Sequence, residues 1–185
     1  MKKIGLIFIF IFLTGLFSGL FFSTGLRADS MDRLSGLMMS GFSGDSPGFA
    51  RVFTGSVASN LTLVVVMAAA MLSKALCPLP PALLLFKSFA TGFCSGLIYV
   101  SVPQQAFFIS LTKLLPQNVF FIPGFIITAA SLFIISASGG LRELSDMRKK
   151  SRNENSRFLL LSACAGTALI AAGAAVEGLF SLISL

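Results

Sequence analysis

Two ionisable residues and one polar tetrad lie inside otherwise apolar stretches of this chain. Lys87 and Glu177 each lie within a long, mostly apolar run. The tetrad Leu115-Pro116-Gln117-Asn118 divides residues 104–136, and Pro123 follows shortly after it. A charged side chain at the centre of a membrane helix costs about 2.5–3.5 kcal/mol on insertion scales, so such residues are candidates for handling ions, substrates or partners.

The tetrad predicts an interruption of the helical chain. Pro116 has no backbone N–H and disfavours helical geometry at Leu115, so we expect a break there, with Gln117 and Asn118 satisfying the freed backbone groups. Residues 106–115 are too few to span a bilayer at about 1.5 Å per residue. They therefore predict a helical segment that is either re-entrant or interfacial, and the sequence leaves these two open.

Lys87 and Glu177 invite the hypothesis of an ion pair, but a count of residues argues against it. Lys87 lies five residues past the expected start of its span, or about 7–8 Å deep, and Glu177 lies nineteen residues past the start of its own, or about 28 Å. The spacing predicts side chains at opposite leaflets. Lys87 would snorkel to the cytoplasmic headgroups, and Glu177 would meet Lys113 or the Gln117-Asn118 turn.

The sequence offers little for catalysis or cofactor binding. It has no histidine, no pair of carboxylates at a spacing suited to acid–base work and no phosphate-binding loop. Cys77, Cys94 and Cys164 lack metal-ligand or redox spacing, and we expect buried, inert thiols. We therefore predict no enzyme, no cofactor and no metal. A carrier or channel stays open, because a broken helix at membrane depth is a common way to build a transport site.

The composition predicts an all-α integral membrane protein with a single domain, residues 1–185. Hydrophobic residues make up 55% of the chain and charged residues 11%, and the uncharged runs exceed 18 residues without alternating. We predict five transmembrane helices, over residues 4–25, 52–73, 82–102, 119–137 and 158–184. Residues 26–51 predict an outer amphipathic segment or linker. Gly92 and Gly96 form a small-residue face on the third span, as Gly15 and Gly19 do on the first, which would let helices approach closely.

The distribution of basic residues predicts the orientation. The basic residues that give the net charge of +7 flank apolar spans. This position favours a role in orienting the protein in the membrane over binding of nucleic acid. If the N-terminus is inside and the chain has five spans, the cytoplasmic side receives Lys2, Lys3, Lys74 and the six basic residues of a loop over 141–157. The outer side receives only Arg27, Arg33, Arg51 and Lys113. The positive-inside rule then places the C-terminus outside.

Several of these motifs resemble the stage II sporulation protein M family of endospore-forming bacteria. They are Leu115-Pro116-Gln117-Asn118 with Ile122-Pro123-Gly124-Phe125 after it, Leu85-Phe86-Lys87-Ser88 with Gly92-Phe93, Asn60 in the second span and Glu177 in the last. The resemblance covers about residues 50–180 and extends to the first span. Ser88 replaces a frequent glycine. The wider family more often has Pro-His-Gly and a nearby glutamate where this chain has Gln117, Asn118 and Phe121, which favours the sporulation branch.

The resemblance implies a role in engulfment of the forespore at the sporulation septum. It implies a non-enzymatic scaffold that anchors two wall-degrading partners, stage II sporulation proteins D and P. The structural or partner-binding candidates are then Asn60, Lys87, Gly92, Gly96, Pro116, Gln117, Asn118, Pro123 and Glu177. Self-association of the chain is left open. The alternative is a small transporter or channel subunit that uses the segment before the tetrad as its site.

Overall fold

Helices make up the computed structural model, which describes residues 2–26, 33–34, 36, 48–101, 103–139 and 150–181. They are α1 (Lys2–Thr24), α2 (Phe49–Ala68), α3 (Leu79–Ser101), α4 (Pro103–Ile109), α5 (Leu115–Ala137) and α6 (Lys150–Phe180). In the described part of the chain, five helices are long and apolar enough to cross a membrane. The predicted all-α membrane fold is confirmed. Most of the expected amphipathic segment over 26–51 and most of the basic loop fall outside the described residues.

Proline positions explain why the helices begin where they do. Proline suits the first turn of a helix, where a backbone N–H has no partner in any case. Pro80 and Pro81 lie in the first turn of α3, and Pro103 is the first residue of α4. Two short 3₁₀ turns, Ala69–Leu72 and Lys74–Leu76, connect α2 to α3. The third candidate span therefore begins at Lys74 rather than at the predicted residue 82, and this shifts the depth of every residue along it.

The backbone at Pro116 is helical, so the predicted break at this residue is wrong. Leu115 has φ −68° and ψ −47°, and Pro116 lies in the first turn of α5, where its missing N–H costs no hydrogen bond. The irregular backbone is one turn earlier, where Ser110–Leu114 forms a π-helical turn between α4 and α5. The short segment before the tetrad is thus helix α4, joined to α5 by a widened turn. Pro123 lies inside α5.

The long helices alternate in direction. Gly15 and Gly19 of α1 face Ser88 and Phe89 of α3 in the same order, so these two helices run parallel. Gly124 of α5 faces Ile170 of α6, and Phe121 faces Gly173, so α5 and α6 run antiparallel. The N-terminal end of α2 meets the C-terminal end of α6 through Phe49 and Gly178.

Two close pairings hold the bundle together, α1 with α3 and α5 with α6. Large side chains from all five long helices fill one core between them. Its members include Phe8, Met67, Leu84, Phe125 and Ile170. Ile98, Ala106 and Ile109 form a second, smaller core where α4 folds back against α3. The fold thus places the middle of α2, α3, α5 and α6 around a common interior.

Candidate functional site

A cavity of about 450 Å³ lies between α2, α3, α5 and α6. Lys87 of α3 and Glu177 of α6 both line it, as do Gln117 and Asn118 from the first turns of α5. Polar side chains of α2 close another wall, namely Arg51, Ser56, Ser59 and Asn60. A mostly apolar chain thus gathers its intramembrane charges and amides in one place, which marks the cavity as the candidate functional site.

Hydrogen bonds connect the two ionisable residues across three helices. Lys87 Nζ donates to Asn60 Oδ1 at 2.8 Å. Asn60 Nδ2 donates to the backbone oxygen of Ser56 at 2.9 Å and to its Oγ at 3.2 Å. The Ser56 hydroxyl in turn donates to Glu177 Oε2. Lysine and glutamate are therefore connected through Asn60 and Ser56 rather than by a direct ion pair.

The prediction that Lys87 and Glu177 lie at opposite leaflets is wrong. The third candidate span runs from Lys74 to Ser101, which places Lys87 near its middle rather than close to its start. Ser56 and Asn60 are one helical turn apart on α2, so their side chains bridge the remaining difference in depth between Lys87 and Glu177. Glu177 does share the cavity with Gln117 and Asn118, as predicted. The side chain of Lys113 lies outside the described residues.

Lys87 does not snorkel to the headgroups as predicted. Its ammonium lies 5.7 Å from the ring centroid of Phe121 and 5.4 Å from that of Phe125. The negative faces of aromatic rings attract a desolvated cation by roughly 2 kcal/mol, and Asn60 adds a charge-assisted hydrogen bond. Together these contacts hold the charge inside the bundle.

Gln117 has an acceptor without a partner in the described part of the chain. Its Oε1 is buried, and no hydrogen bond reaches it. Gln117 and Asn118 face the cavity from the helical start of α5, so they do not cap a chain break as predicted. An unpaired buried acceptor costs about 1–3 kcal/mol, which a bound donor would recover.

Gly92 and Gly96 lie away from this cavity, in the interface of α3 with α1. A Cβ on Gly92 would lie 2.0 Å from the carbonyl oxygen of Leu16, and one on Gly96 would lie 1.9 Å from Ser23 Oγ. The helix that approaches this face is therefore α1 of the same chain. Ser88 is fully buried opposite Gly15.

The cysteines differ from expectation. Cys94 and Cys164 are exposed and Cys77 is half-buried, so the prediction of buried thiols is wrong. Cys94 lines the polar cavity. Within the described ranges, no group of three histidine, cysteine, aspartate or glutamate side chains is placed to hold a metal ion.

Sequence reasoning missed Ser56, which carries the connection to Glu177. A signal for it was present, because Ser56 and Asn60 are polar residues spaced i and i+4 in an apolar span and must share one helix face. Phe121 and Phe125 repeat that spacing on α5. The contact of these two rings with the Lys87 ammonium could not be predicted from an apolar sequence.

The comparisons with known proteins agree with the motifs. The family model described as "Stage II sporulation protein M" matches residues 7–182 of the 185-residue chain. Neither the curated proteins nor the solved structures gave a match. The family is not a known family of enzymes. Because the family match spans nearly the whole chain and includes every helix of the cavity, this multi-pass membrane protein belongs to the stage II sporulation protein M family.

Proposed function

We propose that the chain is a non-enzymatic membrane scaffold of endospore formation that localises peptidoglycan-degrading partners at the septum during engulfment. The observation that carries this proposal is the family match over residues 7–182. The sequence supports it, because it has no histidine and offers no spacing suited to acid–base catalysis. Stage II sporulation proteins D and P are the proposed partners.

A stripe on α1 is the surface that suits a partner helix. Leu6, Phe10, Leu13 and Phe17 follow the 4–3–4 spacing of a helix-packing seam, and Phe21, four residues further on, lies on the same face. These side chains point away from the bundle, with Phe10 and Phe21 each 73% exposed. The opposite face of α1 is occupied by α3. A scaffold of this shape holds α1 on its own core and offers the aromatic stripe to another membrane helix.

The proposed orientation has the N-terminus in the cytoplasm and the C-terminus outside. Helix directions place Lys3 and Lys74 at one end of the bundle and Arg51 at the other. The excess of basic residues at the first end supports a cytoplasmic location for that end. A C-terminal tag should then be digested by protease added outside intact protoplasts. Digestion only after lysis would contradict this orientation.

Co-purification from sporulating cells tests the scaffold role. The tagged chain should bring down a wall hydrolase, and replacing Phe10, Phe17 and Phe21 by alanine should lower the recovery several-fold. Leu161→Ala is a control, because Leu161 is also strongly exposed but lies on α6. Normal engulfment in cells that lack the gene would contradict the proposal.

The polar cavity favours a second candidate, a small transporter or channel subunit. Lys87, Glu177 and the amides of Gln117 and Asn118 line a space large enough for a small solute. Flux through proteoliposomes should then depend on Lys87 and Asn118, while partner recovery should not. Absence of flux for every small ion and amino acid tested would exclude this candidate.

A further inference from the structure

An apolar groove of about 360 Å³ adjoins the polar cavity. Leu114 and Asn118 line both spaces, so the two meet at the π-helical turn and the start of α5. The groove is otherwise formed by α3, α4 and α5, with lining side chains that include Tyr99, Phe107, Leu111 and Val119. Together they form a candidate site with a charged end and an apolar end that share two wall residues.

The apolar end lies at the surface of the bundle. Phe107 is 69% exposed, and Leu111 and Val119 are also exposed. Ser110 Oγ, on the groove wall, is buried without a hydrogen-bond partner in the described part of the chain. A hydrocarbon chain from the bilayer can enter such a groove without crossing water.

The charged end offers both donors and acceptors. An ammonium has three N–H groups, and Asn60 takes one of those of Lys87. Arg51 adds a second cation to the cavity wall. The Glu177 carboxylate can accept about four hydrogen bonds, and Ser56 supplies one of them. Among the described residues, Gln117 Oε1 has no donor. A ligand that matches this end carries an anionic group for the cations and a donor group for the two acceptors.

We propose that this site binds one phospholipid whose headgroup joins a phosphate to a hydrogen-bond donor, as in phosphatidylethanolamine or phosphatidylglycerol. The phosphate meets Lys87 and Arg51, the ammonium or hydroxyl meets Glu177 and Gln117, and an acyl chain lies in the groove. Basic pockets between transmembrane helices bind lipid headgroups in this way. The proposal is independent of the scaffold role, since it concerns the chain without its partners.

Native mass spectrometry of the delipidated full chain in detergent tests the proposal. Phosphatidylethanolamine, phosphatidylglycerol and phosphatidylcholine with identical acyl chains are added separately. The first two should bind at least tenfold more tightly than phosphatidylcholine, whose quaternary ammonium has no donor hydrogen. Soluble glycerophosphoethanolamine should not bind at the same concentrations, because it cannot use the groove. Equal binding of the three lipids, or binding of the soluble headgroup as tight as that of the lipid, would overturn the proposal.

Two pairs of variants separate the site from general lipid contact. Lys87→Met should weaken binding tenfold or more, whereas Lys74→Met, at the end of the same span, should not. Ser110→Leu fills the groove and should reduce lipid binding, whereas Thr112→Leu, in the same turn but outside the groove, should not. Unchanged binding in both site variants would refute the assignment.

A conservative variant decides the matter if Lys87→Met does not fold. Glu177→Gln keeps the shape of the side chain and its contact with Ser56 but loses the negative charge. It should lose affinity for phosphatidylethanolamine, whose donor is a charged ammonium, more than for phosphatidylglycerol, whose donor is a neutral hydroxyl. An equal effect on the two lipids would contradict the proposed role of Glu177.

Discussion

Replacing Gly92 by alanine tests the close packing of α1 on α3. The new methyl group would lie 2.0 Å from the Leu16 carbonyl oxygen, 2.8 Å from its carbon and 3.0 Å from its Cα. All three are backbone atoms, so no side chain can rotate to make room. The helices would have to separate by about 1 Å or more to restore normal contact distances.

The size of the effect follows from this separation. A gap of about 1 Å forfeits up to half of the dispersion energy of each affected contact, and overpacking of this kind costs about 1–3 kcal/mol. The higher helix propensity of alanine offsets about 0.5–1 kcal/mol of this cost, because glycine weakens a helix. We expect Gly92→Ala to lose about 1–2 kcal/mol of unfolding free energy.

Gly5 and Gly55 are the matched controls. A Cβ on either would meet nothing within 4 Å, so alanine should leave stability unchanged or raise it by about 0.5–1 kcal/mol. The chain has no tryptophan, so helix content followed by circular dichroism during titration with a denaturing detergent is the suitable assay. A Gly92→Ala protein as stable as Gly5→Ala would refute the reasoning.

Three further predictions concern the polar cavity. Asn60→Ala should lower the free energy of unfolding by about 1.5–3 kcal/mol, because it leaves the Lys87 ammonium without its hydrogen bond. Adding Lys87→Met should recover part of that loss. Strictly additive losses in the double-mutant cycle would show that the two side chains do not interact. Glu177→Leu should unfold at lower detergent concentration than Glu177→Gln, because only glutamine can still accept from the serine hydroxyl; equal midpoints would contradict the hydrogen bond. In single-cysteine variants, a water-soluble maleimide should label Cys94, on the cavity wall, faster than Cys164, and the reverse order would argue against a hydrated cavity.

The sequence predicted the architecture well because bilayer insertion leaves a strong compositional signature. Long uncharged runs are typical of spans, and the predicted number of spans, five, equals the number of candidate membrane helices. The glycine pair of α3 was also readable, since small residues four apart allow close approach.

The geometry of the site was not predicted, for identifiable reasons. Pro116 was interpreted as a helix breaker, and the third span was predicted to begin only after Pro80 and Pro81. All three prolines lie in the first turn of a helix, where proline is tolerated. That choice shortened the third span and moved Lys87 too close to one membrane surface. Depth counted along separate helices also could not show that Ser56 and Asn60 connect the two charges.

The parallel contact between α1 and α3 has a consequence for biogenesis. These helices are partners, yet α2 is synthesised between them. When α1 leaves the ribosome, helix α3, which packs against its glycine face, has not yet been synthesised. The first span must wait in the lipid, or beside the insertion machinery, until about residue 101 has emerged. The helices of this bundle therefore do not all pack in the order in which they are synthesised. In the earliest membrane intermediate, the Gly15 and Gly19 face of α1 is exposed to the bilayer.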